Sequence, residues 1–139
     1  MNKLMVIMLT ILSSIIIAGG ILYFTILNVS GNEKSEPSID DILDHSVDIE
    51  EITTNIKNND FIRISFKIQA NSSNAKKEIE KRDFQVKNII IKHLSGLNPE
   101  DLQGAEGKTN LEEVIKSKLN DMLENGKVVQ VYITSSILQ

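Results

Sequence analysis

Cysteine is absent from this chain, and with it go disulfide bonds, thiolate metal ligands, a thiol nucleophile and any lipid attached through sulfur. Tryptophan is absent too, and aromatic residues make up 4% of the sequence, which argues against a stacking platform for sugars or bases. Only two histidines, His45 and His93, are present, with no companions at ligand spacing, so neither a metal site nor an imidazole general base is indicated. Basic charge is scarce where it would matter. After residue 27 there are 14 basic against 19 acidic residues, a net −5, which excludes a nucleic-acid face and docking on anionic lipid.

What the chain does have is one long apolar run. Leu4 to Leu27 carries no charged residue, and as a helix it would reach roughly 36 Å, slightly more than a bilayer's hydrocarbon core of about 30 Å. It is longer than the apolar region of a cleaved signal, and no small-residue cleavage site follows it, so a retained membrane anchor is expected. Lys3 precedes the run, whereas Glu33, Glu36, Asp40, Asp41 and Asp44 follow it with only Lys34 among them. That bias predicts residues 1–3 in the cytoplasm and the C-terminal part outside a cytoplasmic or inner membrane, crossed once. Thr10, Ser14 and Ala18 share one face of the span and lead to Gly19 and Gly20; such a small face suits close helix approach, although hydroxyls there also bond back to their own backbone.

Residues 28–44 read as a linker containing a short amphipathic helix. Asn28 to Ser38 is polar and small, and from Pro37 to Asp44 the residues Ile39, Ile42 and Leu43 recur at helical spacing behind a proline suited to a helix start. Two turns are too few to be stable alone, so Ile39, Ile42 and Leu43 are candidate contact residues. Asn28-Val-Ser and Asn71-Ser-Ser match the N-glycosylation pattern, which has meaning only in a glycosylating pathway.

The remainder, 45–139, reads as one small α+β domain. Val47–Ile56 predicts an irregular strand and Lys57–Asp60 a turn. Ile62, Ile64, Phe66, Ile68 and Ala70 then alternate with Arg63, Ser65, Lys67 and Gln69, the pattern of a strand with one buried face. One long helix is expected over Ala75–Leu97, with Ala75, Ile79, Val86, Ile90, Leu94 and Leu97 as its main stripe and Phe84 and Ile91 as a second, narrower one. Asp83 falls within the main stripe, where an unpaired carboxylate is costly; it either projects into solvent or meets Lys87 or a neighbouring subunit. Asp83, Phe84 and Ile91 are therefore further candidate interface residues. Asn98 and Pro99 predict a short helical turn ending near Gly104, and a glycine-punctuated loop follows to Lys108. Thr109 and Glu112 predict a capping box for a last helix stopped by Gly126, and Val128–Leu138 a closing strand. The order is ββααβ, with helices on one face of a sheet containing an antiparallel hairpin.

No motif carries catalysis. Gly104 to Thr109 superficially resembles a phosphate loop, but the glycines lack the four-residue spacing and no strand precedes them. Asp40-Asp41 and Glu50-Glu51 are adjacent in sequence and so diverge in regular structure. The residues thus predict an anchored interaction module with no cofactor, metal or catalytic site. An exported hydrolase lacks its nucleophile and base.

Four stretches, PSIDDIL with VDIEEITTNI, FIRISFKIQ, EKRDFQVKNIII and GKVVQVYITSSILQ, resemble in order the FliL family of single-span membrane proteins associated with the flagellar basal body. The sequence departs from the family at Ile133 and Ser135-Ser136, where a more aromatic ending is expected. The resemblance implies a stomatin-like fold, a homo-oligomeric ring around the motor's stator units, basal-body partners, and support of rotation, swimming or swarming under load. It implies neither an enzyme nor a cofactor. An anchored scaffold of another envelope complex is the alternative reading.

Overall fold

The computed structural model describes residues 2–30 and 36–139. Helix α1 spans Lys3–Ser30, and its stretch Lys3–Thr25 is long and apolar enough to cross a membrane, with none of that window buried in protein. It runs three residues past the expected end at Leu27: Asn28, Val29 and Ser30 add no charge or proline that would stop it. Gly31–Ser35, the middle of the expected linker, lie outside the described residues.

A second compact unit comprises Ser38–Gln139. It begins with helix α2, Ile39–Asp44, followed by strand β1, Ser46–Asn55, and strand β2, Phe61–Ala70. The expected helix start at Pro37 shifts inward because Ser38 is the cap: its hydroxyl accepts the Asp41 amide while the Asp41 carboxylate accepts the Ser38 amide, a reciprocal box. A 3₁₀ turn at Lys57–Asn59, with Asn58 and Asn59 at positive φ, reverses the chain between the strands. Strand β3, Val128–Leu138, completes an antiparallel sheet in the order β1-β2-β3. Phe66 lies in the middle of this sheet, opposite Ile49 on one side and Ile133 on the other.

Three helices, not two, cover one face of the sheet: α3, Ser73–Lys81, α4, Asp83–Leu94, and α5, Gly104–Met122. The single helix expected over Ala75–Leu97 is broken at Arg82, whose backbone (φ −96°, ψ 17°) leaves helical geometry. The break is pinned by the guanidinium, which donates to Glu78, Gln85 and Glu124. It also makes Asp83 the first residue of α4 rather than a member of a continuous buried stripe, and an acid is favoured in that first turn by the amides of the helix start. Ala75 and Ile79 of α3 and Val86, Ile90 and Leu94 of α4 fill the core with Leu111, Ile115 and Leu119 of α5 and the inward residues of β2. Each fully buried aliphatic side chain there contributes about 1.5–3 kcal/mol relative to exposure.

The last helix starts six residues earlier than the Thr109 capping box would place it, so Gly104–Lys108 is helix and not loop. A 3₁₀ turn at Pro99–Leu102 runs directly into it, and Gly104, at φ +69°, supplies the change of direction. Glu112 is thereby released for another partner: its Oε1 accepts the Ile133 amide of β3 at 2.8 Å. Beside that bond β3 carries a bulge, because Phe66 faces Ile133 while Ser65 faces Ser135, leaving Thr134 as the extra residue.

Candidate interaction surface

α4 runs alongside β1 and in the same direction, its end tied to the end of β1 by the Lys57 amide donating to the Leu97 carbonyl at 3.0 Å. With Val86, Ile90 and Leu94 turned into the core, Phe84 and Ile91 fall on the outer flank, 70% and 38% exposed. Lys87 lies between them and pairs with Asp83 at 2.9 Å. Its ammonium is favoured first by that hydrogen bond and further by the charges of Asp83 and of Glu50 on β1, which raise its pKa. α4 itself packs on β1, which carries Glu50. Asp83, Phe84 and Ile91 therefore lie on one flank, with the carboxylate paired within its own helix.

α2 presents a separate apolar pair. Ile39 and Leu43, one turn apart, are exposed, whereas Ile42 is half-buried and its carbonyl accepts the Ser46 hydroxyl at 2.6 Å. Asp40 and Asp44 line the outer stripe, and Asp41 is held below the ordinary carboxylate pKa by the Ser38 side chain and amide. On α1, Thr10 and Ser14 donate to the carbonyls of Ile7 and Ile11, each at 2.8 Å, so their hydroxyls are satisfied within the helix. Ala18 continues that face.

The sheet face opposite the helices is polar on its central strand and held by cross-strand pairs: Arg63 with Glu51 at 2.8 Å, Lys67 with Asp48 at 2.6 Å, and the Tyr132 hydroxyl donating to Gln69 at 3.0 Å. Along the outer strand β3 the composition changes. From Val128 to Gln139 there is no charged residue, although 24% of the chain is charged. The Thr134 bulge sets the faces that follow it. Ser135 and Ile137 pair with Ser65 and Arg63 and share the open face, whereas Ser136 and Leu138 pair with Ile64 and Ile62 and point to the helix side. Even so, Ser136 and Leu138 are exposed.

The two histidines stand apart from each other. His93 sits in a groove between α4 and α5 with Lys92, Leu97, Lys118 and Asp121, and burial together with the Lys118 charge lowers its pKa. His45 joins α2 to β1, its carbonyl accepting the Ala70 amide and its own amide donating to Asp41. Among the described residues no group of three His, Cys, Asp or Glu side chains is placed to hold a metal. The glycines of the loop-like stretch Gly104–Thr109 are inside a helix that follows a 3₁₀ turn, so no phosphate cradle forms.

A family model described as flagellar basal body-associated protein FliL matches residues 46–139. The flagellar protein FliL of Bacillus subtilis (strain 168) is 44% identical over 121 residues, covering 87% of this chain and 86% of that protein. The flagellar protein FliL of Aquifex aeolicus (strain VF5) is 24% identical over 79 residues, 57% of this chain and 49% of that one.

Proposed function

Since the chain belongs to the FliL family of flagellar basal body-associated proteins, we propose that it is a non-enzymatic motor accessory that sits beside the stator units and supports rotation, swimming or swarming under load. α1 crosses the cytoplasmic membrane once, with residues 1–3 inside and the domain outside. The outer domain assembles with further copies into a ring and meets stator and basal-body partners through α2 (Ile39, Ile42, Leu43) and the outer flank of α4 (Asp83, Phe84, Ile91). Thr10, Ser14 and Ala18 form the anchor face that neighbouring spans approach. The observation that carries this reading beyond family membership is the pairing of a membrane-length helix with a domain whose exposed features include apolar flanks on α2 and α4.

The test is deletion and complementation in the parent cell, with swimming scored in soft agar and in viscous medium. The full-length chain restores motility under load, and so does a variant with His45 and His93 changed to Asn and Gln, because neither imidazole has a chemical task. The unit Ser38–Gln139 secreted without α1 does not restore it, since it lacks the two-dimensional concentration that anchoring provides. Deletion without a motility defect at any viscosity, or loss of function in the histidine variant at normal protein level, rejects the reading.

A further inference from the structure

The groove between α4 and α5 has a volume of about 410 Å³, within the size range of small-molecule sites. Its floor is apolar: Ile89 and Leu97 line it and pack from behind against the core. α4 contributes Lys92 and His93, and α5 contributes Lys118 and Asp121. The chain after residue 27 carries 14 basic against 19 acidic residues, so two lysines against one acid make this groove a local reversal of sign.

Both ammonium groups are uncommitted. Lys67, Lys87 and Lys116 each hold a carboxylate, whereas among the described residues neither Lys92 nor Lys118 enters an ion pair or donates a hydrogen bond within the protein. Nor are they needed to close the end of α4. The carbonyls of Ile91, His93 and Leu94 already accept the amides of Ser95, Gly96 and Leu97, and the Leu97 carbonyl accepts the Lys57 amide. His93 is disfavoured as a cation first by burial and then by the Lys118 charge, and an anion beside Lys118 would offset the second cause. Charge alone would admit any anion. The floor of Ile89 and Leu97 selects one with a hydrocarbon body, and Asp121, on the same helix as Lys118, opposes one of multiple charge.

We propose that this groove binds an aliphatic carboxylate, its carboxylate held by Lys92 and Lys118 and its hydrocarbon part on Ile89 and Leu97. The site goes beyond the motor-accessory role and needs no second copy of the chain.

A cysteine-free chain makes the test direct. Gly96 lines the groove and is exposed, and a Cβ there would lie 3.4 Å from the His93 carbonyl oxygen, an ordinary contact, so Gly96→Cys is the reporter. Gln103→Cys, in the hollow lined by Glu100, Asp101 and Glu106, is the reference of opposite sign. Full-length protein in open membrane fragments, at low and constant ionic strength, is labelled with an anionic ethylsulfonate and a cationic ethyltrimethylammonium methanethiosulfonate. One net positive charge about 6 Å away changes each rate about three-fold in water, so the anionic-to-cationic ratio at Gly96→Cys should exceed that at Gln103→Cys by about ten-fold or more. Millimolar hexanoate should slow labelling of Gly96→Cys several-fold, and acetate at the same concentration should not. Adding Lys92→Gln and Lys118→Gln, both at exposed positions, should remove the charge preference and the protection together. Palmitate carried in the membrane lipid replaces hexanoate in a parallel arm: protection by hexanoate assigns a free acid, and protection by palmitate alone a lipid-borne one. Three results overturn the proposal. Equal protection by acetate and hexanoate would leave only a basic patch, protection that survives the lysine variant would leave the charges without a role, and protection by neither acid would leave the groove empty of this ligand class.

Discussion

Glu78 holds the chain 47 residues further on: its Oε2 accepts the Asn125 amide at 2.9 Å and its Oε1 the Glu124 amide at 3.0 Å. The same carboxylate pairs with Arg82 at 2.9 Å, and Arg82 reaches across to the Glu124 carboxylate, also at 2.9 Å. One acid thus ties the break between α3 and α4 to the turn that launches β3. The Glu124 amide is the main reason its pKa is lowered, with the Asn125 amide and the Arg82 charge adding to it against the cost of burial.

Glu78→Gln should therefore lower the melting temperature at neutral pH, because the amide has one acceptor oxygen where the carboxylate has two. The pH dependence follows from the direction of the shift. A carboxyl whose folded pKa lies below its ordinary 4.5 stabilises fully above that value, and the contribution is lost as pH falls through the folded pKa. Thermal melts of wild type and variant in detergent should differ at pH 7 and converge as the carboxyl is protonated in acid; a gap unchanged across the whole acid range would assign the effect to packing.

Gly126 closes the same turn at φ +84°, and a Cβ placed there would lie 2.7 Å from Asn71 Oδ1 and 2.8 Å from the Ala75 Cβ. Asn71 cannot easily give way, since Oδ1 also accepts the Lys127 amide at 2.8 Å. Gly104 has similar φ, +69°, but nothing within 4 Å of such a Cβ. Gly104→Ala should cost about 1–2 kcal/mol from backbone strain alone, and Gly126→Ala clearly more, as read from denaturant midpoints. Equal losses would show that the contacts with Asn71 and Ala75 relax freely.

These two ties also mark where sequence reading stopped. The hairpin and the closing strand were legible because alternation and turn residues are local signals, and β3 spans the residues expected of it. The Arg82 break was not, since Ile79 and Val86 are seven apart and keep helical phase through it, and one of the three acceptors that hold the guanidinium, Glu124, lies 42 residues away. Thr109 and Glu112 formed a valid capping pattern, yet the turn ahead of them ran into helix and Glu112 was used by Ile133 instead. Phe84 and Ile91 share a second face by helical spacing, but which element they flank depends on α4 lying along β1. No local pattern specifies that.

Phe84→Ser tests whether that flank serves assembly. The side chain is 70% exposed, so stability should change by no more than about 0.5 kcal/mol. Multimer yield in membranes and motility in viscous medium should both fall. Asp83→Asn removes an exposed ion pair with Lys87, worth about 0.2–1 kcal/mol, and asks whether the carboxylate itself meets a partner: a fall in multimer yield puts it in the contact, and an unchanged yield leaves it to Lys87 alone. Unchanged assembly in Phe84→Ser would remove α4 from the interface.

Orientation is the premise of every contact proposed outside the membrane, and it rests on charge. Lys3 precedes the apolar helix and the acids Glu36, Asp40, Asp41 and Asp44 follow it, so the basic flank should stay in the cytoplasm. Because the chain has no cysteine, one introduced thiol reports one position without background from the protein. Asn2→Cys and Gln139→Cys, expressed separately in cells stripped of any outer barrier, should behave oppositely toward a membrane-impermeant thiol reagent: the second labelled in intact cells, the first only after permeabilisation. Gln139 is a suitable site because it is exposed and follows β3, its backbone pairing with Phe61 while its side chain leaves the core untouched. Moving Lys3 to the other end of the span, as Lys3→Ser with Asn28→Lys, should shift labelling toward mixed orientation, since a single basic residue sets the bias. Labelling of Asn2→Cys alone in intact cells would put the domain in the cytoplasm, and the partners would then have to be sought there.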